Sequence, residues 1–192
     1  NLFRKTGSKE HLEAFLGPGV DSELELKGRS ESEIYARLGC DWIPPECRER
    51  GGVEKDFFSK KSKKKLLERS DIKGFFHFHT DRSDGLNTLE EMVRVAMDRG
   101  FQYLGVSDHS QSAFYARGLG LSQLEAQKEE VETLRKRYPE IRIFWGIESD
   151  ILEDGRLDYS DAVLSEFDFV IASVHSRLGM SGEQLTQRVC QA

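Results

Sequence analysis

The sequence predicts an α/β fold for residues 71–192, preceded by a small α+β segment, and three observations support this class. From residue 71 onward, four short apolar runs alternate with segments of helical periodicity, which is typical of parallel strands with helices packed outside them. The first seventy residues lack that alternation. The length of 192 residues fits one medium domain or two small ones.

The first part of the chain is predicted to form short elements separated by breaks. A helix that begins near Ser8 must end before the Gly-Pro-Gly sequence at residues 17–19. Leu24 and Leu26 alternate with charged residues, as in a half-exposed strand.

Two further patterns complete this part. Ser30 and Glu33 have the spacing of a capping box, which predicts the start of a short helix. Five lysines lie between Lys60 and Lys65, and we interpret residues 57–70 as a basic linker. The alternative for the lysines is contact with the phosphate backbone of a nucleic acid.

The second part of the chain carries the alternating elements. Four apolar runs are predicted to be strands: residues 75–79, 103–107, 141–147 and 169–174. Four segments are predicted to be helices: residues 88–99, 122–137, 159–165 and a last one from Gly182 onward.

Composition narrows the class of protein. Apolar residues make up 38% and charged residues 32%, which is ordinary for a globular protein and excludes a disordered chain. No apolar stretch approaches the roughly 20 residues that cross a bilayer, and no secretory signal is visible. Three cysteines, an odd count, favour a reducing compartment, so we expect a cytoplasmic protein without a membrane partner.

Every predicted strand delivers a possible metal ligand at its carboxyl end. His77 and His79 end the first run, His109 follows the second, Glu148 the third and His175 the fourth. Sites in parallel sheets and barrels are built at that edge. Imidazoles suit zinc, manganese or iron, and a carboxylate can bridge two ions. The sequence therefore predicts a metal centre, with the metal left open.

The surrounding residues extend this prediction. Alternate residues of a strand point the same way, so His77 and His79 can face one ion. The pocket is predicted to be acidic, because carboxylates lie close by in the sequence: Asp81, Asp84, Asp108 and Asp150. Divalent ions there would activate water and polarise a phosphoryl oxygen, although hydrolysis at carbon stays open. We interpret Asp108 and Glu148 as catalytic residues and Asp84 as a further ligand.

Two arginines are candidates to bind a substrate phosphate. Arg82 and Arg177 lie within three residues of predicted ligands, although either alone would more often form a surface ion pair. Other chemistries find no support, because the sequence contains neither a phosphate-binding P-loop nor the Gly-x-Ser-x-Gly elbow of serine hydrolases.

The ligand segments resemble the motifs of the PHP (polymerase and histidinol phosphatase) domain. Residues 77–85 resemble its opening motif, and three later segments resemble its next motifs: residues 107–109, 146–150 and 173–176. The resemblance implies a distorted (β/α)7 barrel, of which residues 71–192 would be the first part, and up to three divalent metal ions. The implied ligands are His77, His79 and Glu148 for the first ion, Glu148 and His175 for the second, and Asp84 and His109 for the third.

The first part resembles the thumb of family X DNA polymerases, whose bacterial members carry a PHP domain after the thumb. Residues 6–11 read Thr-Gly-Ser-Lys-Glu-His, and residues 34–46 resemble the end of the thumb. We therefore interpret residues 1–56 as a thumb-like segment and 71–192 as a PHP domain truncated at its carboxyl end. No polymerase palm precedes Asn1, so we do not expect this chain to polymerise DNA.

The resemblance implies a metal-dependent phosphoesterase of a family X-type DNA polymerase involved in DNA repair, with 3′→5′ exonuclease activity in the intact parent. The implied partner is DNA, bound by the thumb-like segment and the lysines at 60–65. Two alternatives stay open: a small-molecule phosphatase of the histidinol-phosphatase type, or a metal-poor module that binds DNA or another domain. A part barrel would also leave a sheet edge open, so we expect pairing with a second copy.

Overall fold

The computed structural model describes residues 2–16, 30–37, 41–49 and 66–192. The chain divides into two compact units, Asn1–Leu67 and Glu68–Ala192. The predicted strand at Leu24 and Leu26 and the lysines between Lys60 and Lys65 lie outside the described residues.

The regular elements described in the first unit are all helices. Its elements are α1 (Leu2–Thr6), α2 (Lys9–Leu16), α3 (Glu31–Arg37) and a short 3-10 helix at Pro45–Cys47. The capping-box prediction is confirmed, because the Glu33 carboxylate accepts from the Ser30 amide and the Ser30 hydroxyl accepts from the Glu33 amide. A small apolar core holds these helices together: Phe3, Phe15, Ile34, Tyr35 and Ile43.

A buried arginine connects the elements of this unit. The Arg48 guanidinium donates to both carboxylate oxygens of Glu31, to the Thr6 hydroxyl and to the Ile43 carbonyl. It also lies 5.3 Å from the centre of the Tyr35 ring. These contacts compensate the cost of burying a charge, since a buried charge is tolerated when it is paired and hydrogen-bonded.

The second unit is a four-stranded parallel sheet with helices between the strands, as the sequence predicts. The strands are β1 (Gly74–Phe78), β2 (Tyr103–His109), β3 (Arg142–Asp150) and β4 (Phe169–Ser173), and the sheet order follows the chain. The helices are α4 (Leu89–Asp98), α5 (Leu121–Arg137), α6 (Asp161–Leu164) and α7 (Gly182–Gln191). Two 3-10 helices lie at Arg69–Asp71 and Phe114–Ala116.

The helices that join the strands pack on one face of the sheet. Leu89 and Val93 of α4 and Leu124 of α5 share one core with strand residues such as Val106 and Ile147. Strands in sequential order with right-handed crossovers place every connecting helix on the same side, as in a barrel rather than a doubly wound sheet. The unit is thus an α/β half-barrel, in agreement with the predicted class.

The opposite face of the sheet carries a layer of aromatic rings. The ring of Phe76 lies 5.1 Å from that of Phe144 and 4.9 Å from that of Phe169. Gly105 and Gly146 make room for this layer, because an added Cβ would lie 2.2 Å from the Phe76 ring and 2.4 Å from the Phe169 ring respectively. The polar ends of the strands lie beyond this layer.

A β-bulge at His77 shifts β1 against its neighbour. Phe76 pairs with Gly105 and Phe78 with Val106, so His77 is an extra residue, and its φ is 67°. The bulge places Phe78 in the helix-side core, which an unbroken alternation from Phe76 would deny it. No helix in the described ranges has the length and apolar character needed to cross a bilayer.

Candidate metal centre

Glu148 lies at the centre of four imidazoles where the strands end. Its Oε1 is 3.2 Å from Nε2 of both His77 and His175, and its Oε2 is 3.2 Å from Nε2 of His79 and 3.1 Å from Nδ1 of His109. Each carboxylate oxygen therefore faces two imidazole nitrogens. The structure brings together the five residues that the strand ends predicted, although His77 reaches Glu148 from a bulge and not from a regular strand.

Two further carboxylates flank this group. Asp84 Oδ1 is 2.7 Å from Nδ1 of His79, and its Oδ2 is 3.6 Å from Nε2 of His109. Asp150 Oδ1 is 3.2 Å from Nδ1 of His175. Because a carboxylate fixes which ring nitrogen carries the proton, these contacts leave Nε2 of His79 and His175 free to face Glu148.

The charges of the cluster shift its protonation. Burial acts to raise the pKa of Glu148, but the hydrogen bond from Ser173 and the nearby imidazoles lower the pKa overall. Burial likewise acts to raise the pKa of Asp84, but the hydrogen bond with His79 and the charges of His79 and His109 together lower that pKa overall. Burial and then the charge of His79 lower the pKa of His109, which favours the neutral ring. Ionised carboxylates and a neutral imidazole are the forms that bind metal ions.

The donor set fits divalent metal ions. Three triads each bring their ligand atoms within 4.8 Å of one another: His77, His79 and Glu148; His79, Asp84 and His109; and His109, Glu148 and His175. Three buried polar atoms of the cluster make no well-aligned hydrogen bond: Nδ1 of His109 and Oε2 of Glu148, which lie 3.1 Å apart, and Oδ2 of Asp150. Buried polar atoms are rarely left unsatisfied, and cations between the ligands would satisfy these atoms.

The structure places Asp108 in a different environment from the imidazoles. Its buried carboxylate accepts four hydrogen bonds at 2.5 to 2.7 Å. The donors are the backbone amide and the hydroxyl of Thr80, the hydroxyl of Ser83 and the side-chain Nε2 of Gln127. With four donors on two oxygens, the carboxylate has little capacity left for a substrate. This geometry favours a positioning role for Asp108 towards residues 80–83, and its catalytic role stays a prediction.

Arg82 and Arg177 each have an acidic partner. Arg82 donates from Nε at 2.9 Å to Glu130 on α5 and lies 2.8 Å from it through a second nitrogen. Arg177 is an exposed residue whose Nε lies 3.3 Å from Glu153. Both arginines thus form ion pairs, as the alternative to phosphate binding expects, and their binding of a substrate phosphate stays a prediction.

Two residues near the site were missed at the sequence level. Tyr115 has its ring 5.8 Å from that of His109 and 6.3 Å from that of His175. Arg188 on α7 is buried and donates to the carbonyls of Ile151, Leu152 and Ser176, next to Asp150 and His175. No motif identifies either residue, because local sequence does not specify how the chain brings each of them to the site.

Comparison with known proteins agrees with this geometry. The PHP domain model matches residues 76–189, more than half of the chain. The DNA polymerase/3′-5′ exonuclease PolX of Bacillus subtilis (strain 168) is 41% identical over 160 residues, which are 83% of this chain and 28% of that protein. A probable phosphatase of Caldicellulosiruptor saccharolyticus is 32% identical over 107 residues, 52% of this chain and 40% of the relative. The chain thus spans less than half the length of these relatives.

Proposed function

Since this chain belongs to the PHP domain family, we propose that it is part of a metal-dependent phosphoesterase that hydrolyses phosphodiester bonds at DNA 3′ ends. The observation that carries the proposal is the Glu148 carboxylate between four imidazoles, with unsatisfied buried atoms around it. The similarity to a DNA polymerase/3′-5′ exonuclease over 83% of the chain favours DNA as the substrate.

The three triads are the groups that would hold divalent ions, with Glu148 shared between two of them. When bound, such ions supply Lewis-acid polarisation of a phosphoryl oxygen and lower the pKa of a water ligand. Zinc, manganese and iron all suit this mixture of imidazole and carboxylate donors.

The chain's own residues position the reacting groups. Asp84 and Asp150 accept from Nδ1 of His79 and His175 and thereby direct the other nitrogen of each ring into the site. Asp108 holds the loop that carries Asp84 by accepting four hydrogen bonds from within and beside it. Glu148 belongs to two of the triads, and each of its oxygens faces one imidazole of each triad.

The first test measures metal content and hydrolysis together. We expect the purified chain to carry zinc, manganese or iron by elemental analysis, and His79→Ala and Glu148→Ala to lose the metal. Digestion of single-stranded DNA in MnCl2 should be lost in the same two variants. The matched control is Glu166→Ala, which removes an exposed carboxylate whose ion pair among the described residues is with Lys128.

Several results of this test would contradict the proposal. Undiminished digestion by both ligand variants would exclude the cluster as the active site. Hydrolysis of phosphomonoesters without digestion of DNA would favour the second candidate, a small-molecule phosphatase, which the similarity to a probable phosphatase supports. DNA binding that persists in chelator without hydrolysis would indicate a binding module.

We also propose the domain assignment that the sequence suggested, with a thumb-like segment at 1–56, a linker at 57–70 and the PHP domain from 71. In the first unit, α1 and α2 are joined at Gly7 and Ser8. The Ser8 hydroxyl caps α2 by accepting from the His11 amide at 3.1 Å. Loss of DNA affinity on deleting residues 1–56, with metal content unchanged, would support this assignment, and unchanged affinity would refute it.

A further inference from the structure

Two adjacent aromatic side chains project into solvent, and the ring of one of them, Tyr115, lies 5.8 Å from the His109 ring of the metal centre. Both residues lie in the short 3-10 helix Phe114–Ala116, where Phe114 is 86% exposed and Tyr115 is 68% exposed. We call this pair the aromatic shelf. Exposed aromatic rings forgo the free energy of burial, so an adjacent exposed pair at the mouth of a site indicates a surface that becomes covered.

The loop that presents the shelf is anchored at several points. The Ser112 amide donates to Asp158 at 2.6 Å, and the Leu119 amide donates to the His109 carbonyl at 2.8 Å. Ala113 and Ala116, on either side of the pair, are buried. The packed loop therefore holds the two rings in their exposed position.

The position of the shelf relates it to the substrate. The Tyr115 ring is 5.8 Å from the His109 ring, so a group stacked on the shelf lies next to whatever the imidazoles bind. Arg117 follows directly, with an exposed side chain and a φ of 56°. Glycine adopts that conformation at lower cost, yet the position presents a cation. Aromatic faces beside a cation are the elements with which proteins hold single-stranded nucleic acid.

We propose that the Phe114–Tyr115 shelf stacks against a nucleobase of the DNA 3′ end whose phosphodiester lies at the Glu148 cluster. This inference rests on the proposed function and adds to it the group that positions the strand. A base presents a flat apolar face without sequence preference, which matches a shelf with two rings and no base-specific amide or carboxylate on it.

The test compares two DNA ends on the intact chain. The probes are fluorescein-labelled single-stranded oligothymidylates that end in thymidine or in an abasic residue, with a phosphorothioate at the last linkage to slow hydrolysis. Binding is followed by fluorescence anisotropy in MnCl2. We expect the thymidine end to bind about tenfold more tightly than the abasic end, as stacking of one base implies.

Substitutions test whether the preference for the thymidine end depends on the two rings. Phe114→Ala and Tyr115→Ala should reduce this preference, while Tyr115→Phe retains the ring and should retain the preference. The matched control is Leu121→Ala, which removes an exposed apolar side chain from the first turn of α5 and should leave the preference intact. Far-UV circular dichroism checks that each variant is folded.

The outcomes separate this inference from the proposed function. Equal binding of both ends by the unsubstituted chain overturns the shelf but leaves DNA hydrolysis standing, and this comparison needs no variant. A preference that survives in both alanine variants also overturns the shelf. Binding of neither probe overturns the shelf and DNA as the substrate together.

Discussion

The carboxylate of Asp108 is fully buried and accepts four hydrogen bonds. Asp108→Asn replaces one acceptor oxygen by a donor that faces other donors. We expect a loss of about 2–4 kcal/mol in the free energy of unfolding, because buried donors are left unpaired. Urea unfolding followed by circular dichroism measures this loss.

The exposed Asp161, in the first turn of α6, gives the matched control. Asp161→Asn should change the free energy of unfolding by no more than about 0.5 kcal/mol. If Asp108→Asn kept full stability and full metal content but lost hydrolysis, Asp108 would be catalytic, as the sequence first suggested, and the positioning role would be wrong.

At the scale of elements, α7 is connected to the loops that follow β3 and β4 through one side chain. Arg188→Met keeps the apolar stem but removes the donors to the carbonyls of Ile151, Leu152 and Ser176. We expect metal affinity to fall about tenfold, the effect of losing an outer contact of a metal site. Isothermal titration with MnCl2 measures the affinity.

The control for this prediction is Arg156→Met, which removes an exposed guanidinium paired with Asp154. Its metal affinity should match that of the unsubstituted chain. Equal affinities for all three proteins would show that α7 does not hold the ligand loops in place.

Glu90 joins the start of α4 to the end of α5. Its carboxylate accepts from the hydroxyl of Tyr138 and from Arg137 and Arg94, and these hydrogen bonds lower its pKa from 4.5 to about 2. A carboxylate with a depressed pKa stabilises the fold above its unfolded pKa, and the contribution disappears as the pH falls through its folded pKa. The stabilisation is therefore complete above pH 4.5 and is lost towards about pH 2.

The comparison with Glu90→Gln isolates this group from the other carboxylates. The difference in Tm between the two proteins should be largest near neutral pH and should vanish as the pH approaches 2. A constant difference across that range would contradict the assignment of the stabilising effect to the ionised Glu90.

At the scale of the whole molecule, the outer strands of the half-barrel are available for pairing. Within the described residues, β1 pairs only with β2 and β4 only with β3. Such edges pair readily with other chains, so we expect self-association that grows with concentration in multi-angle light scattering. Ala172→Lys, which places a charge at an exposed position of β4, should weaken it. A monomer at every concentration would refute this prediction.

The sequence predicts the order of elements and the ligands but not the way in which they meet. Strands and helices are readable because apolar runs and helical periodicity are local, and Glu148 and His175 follow from the rule that sites form at strand ends. The role of Arg188 is not readable, because its partners lie 12 to 37 residues away along the chain. The hydrogen bonds of Asp108 likewise come from residues 19 to 28 positions away along the chain.

Because of the bulge at His77, the packing of residues 75–79 depends on the number of residues in this segment. Phe75 and Phe78 both lie on the helix side of β1, three residues apart, only because one extra residue intervenes. Deleting one residue there would restore an even alternation, and the side chains beyond it would exchange the helix-side core for the opposite face of the sheet. We therefore expect insertion or deletion of a single residue between Phe75 and His79 to be tolerated less well than replacement of Phe75 by another apolar residue.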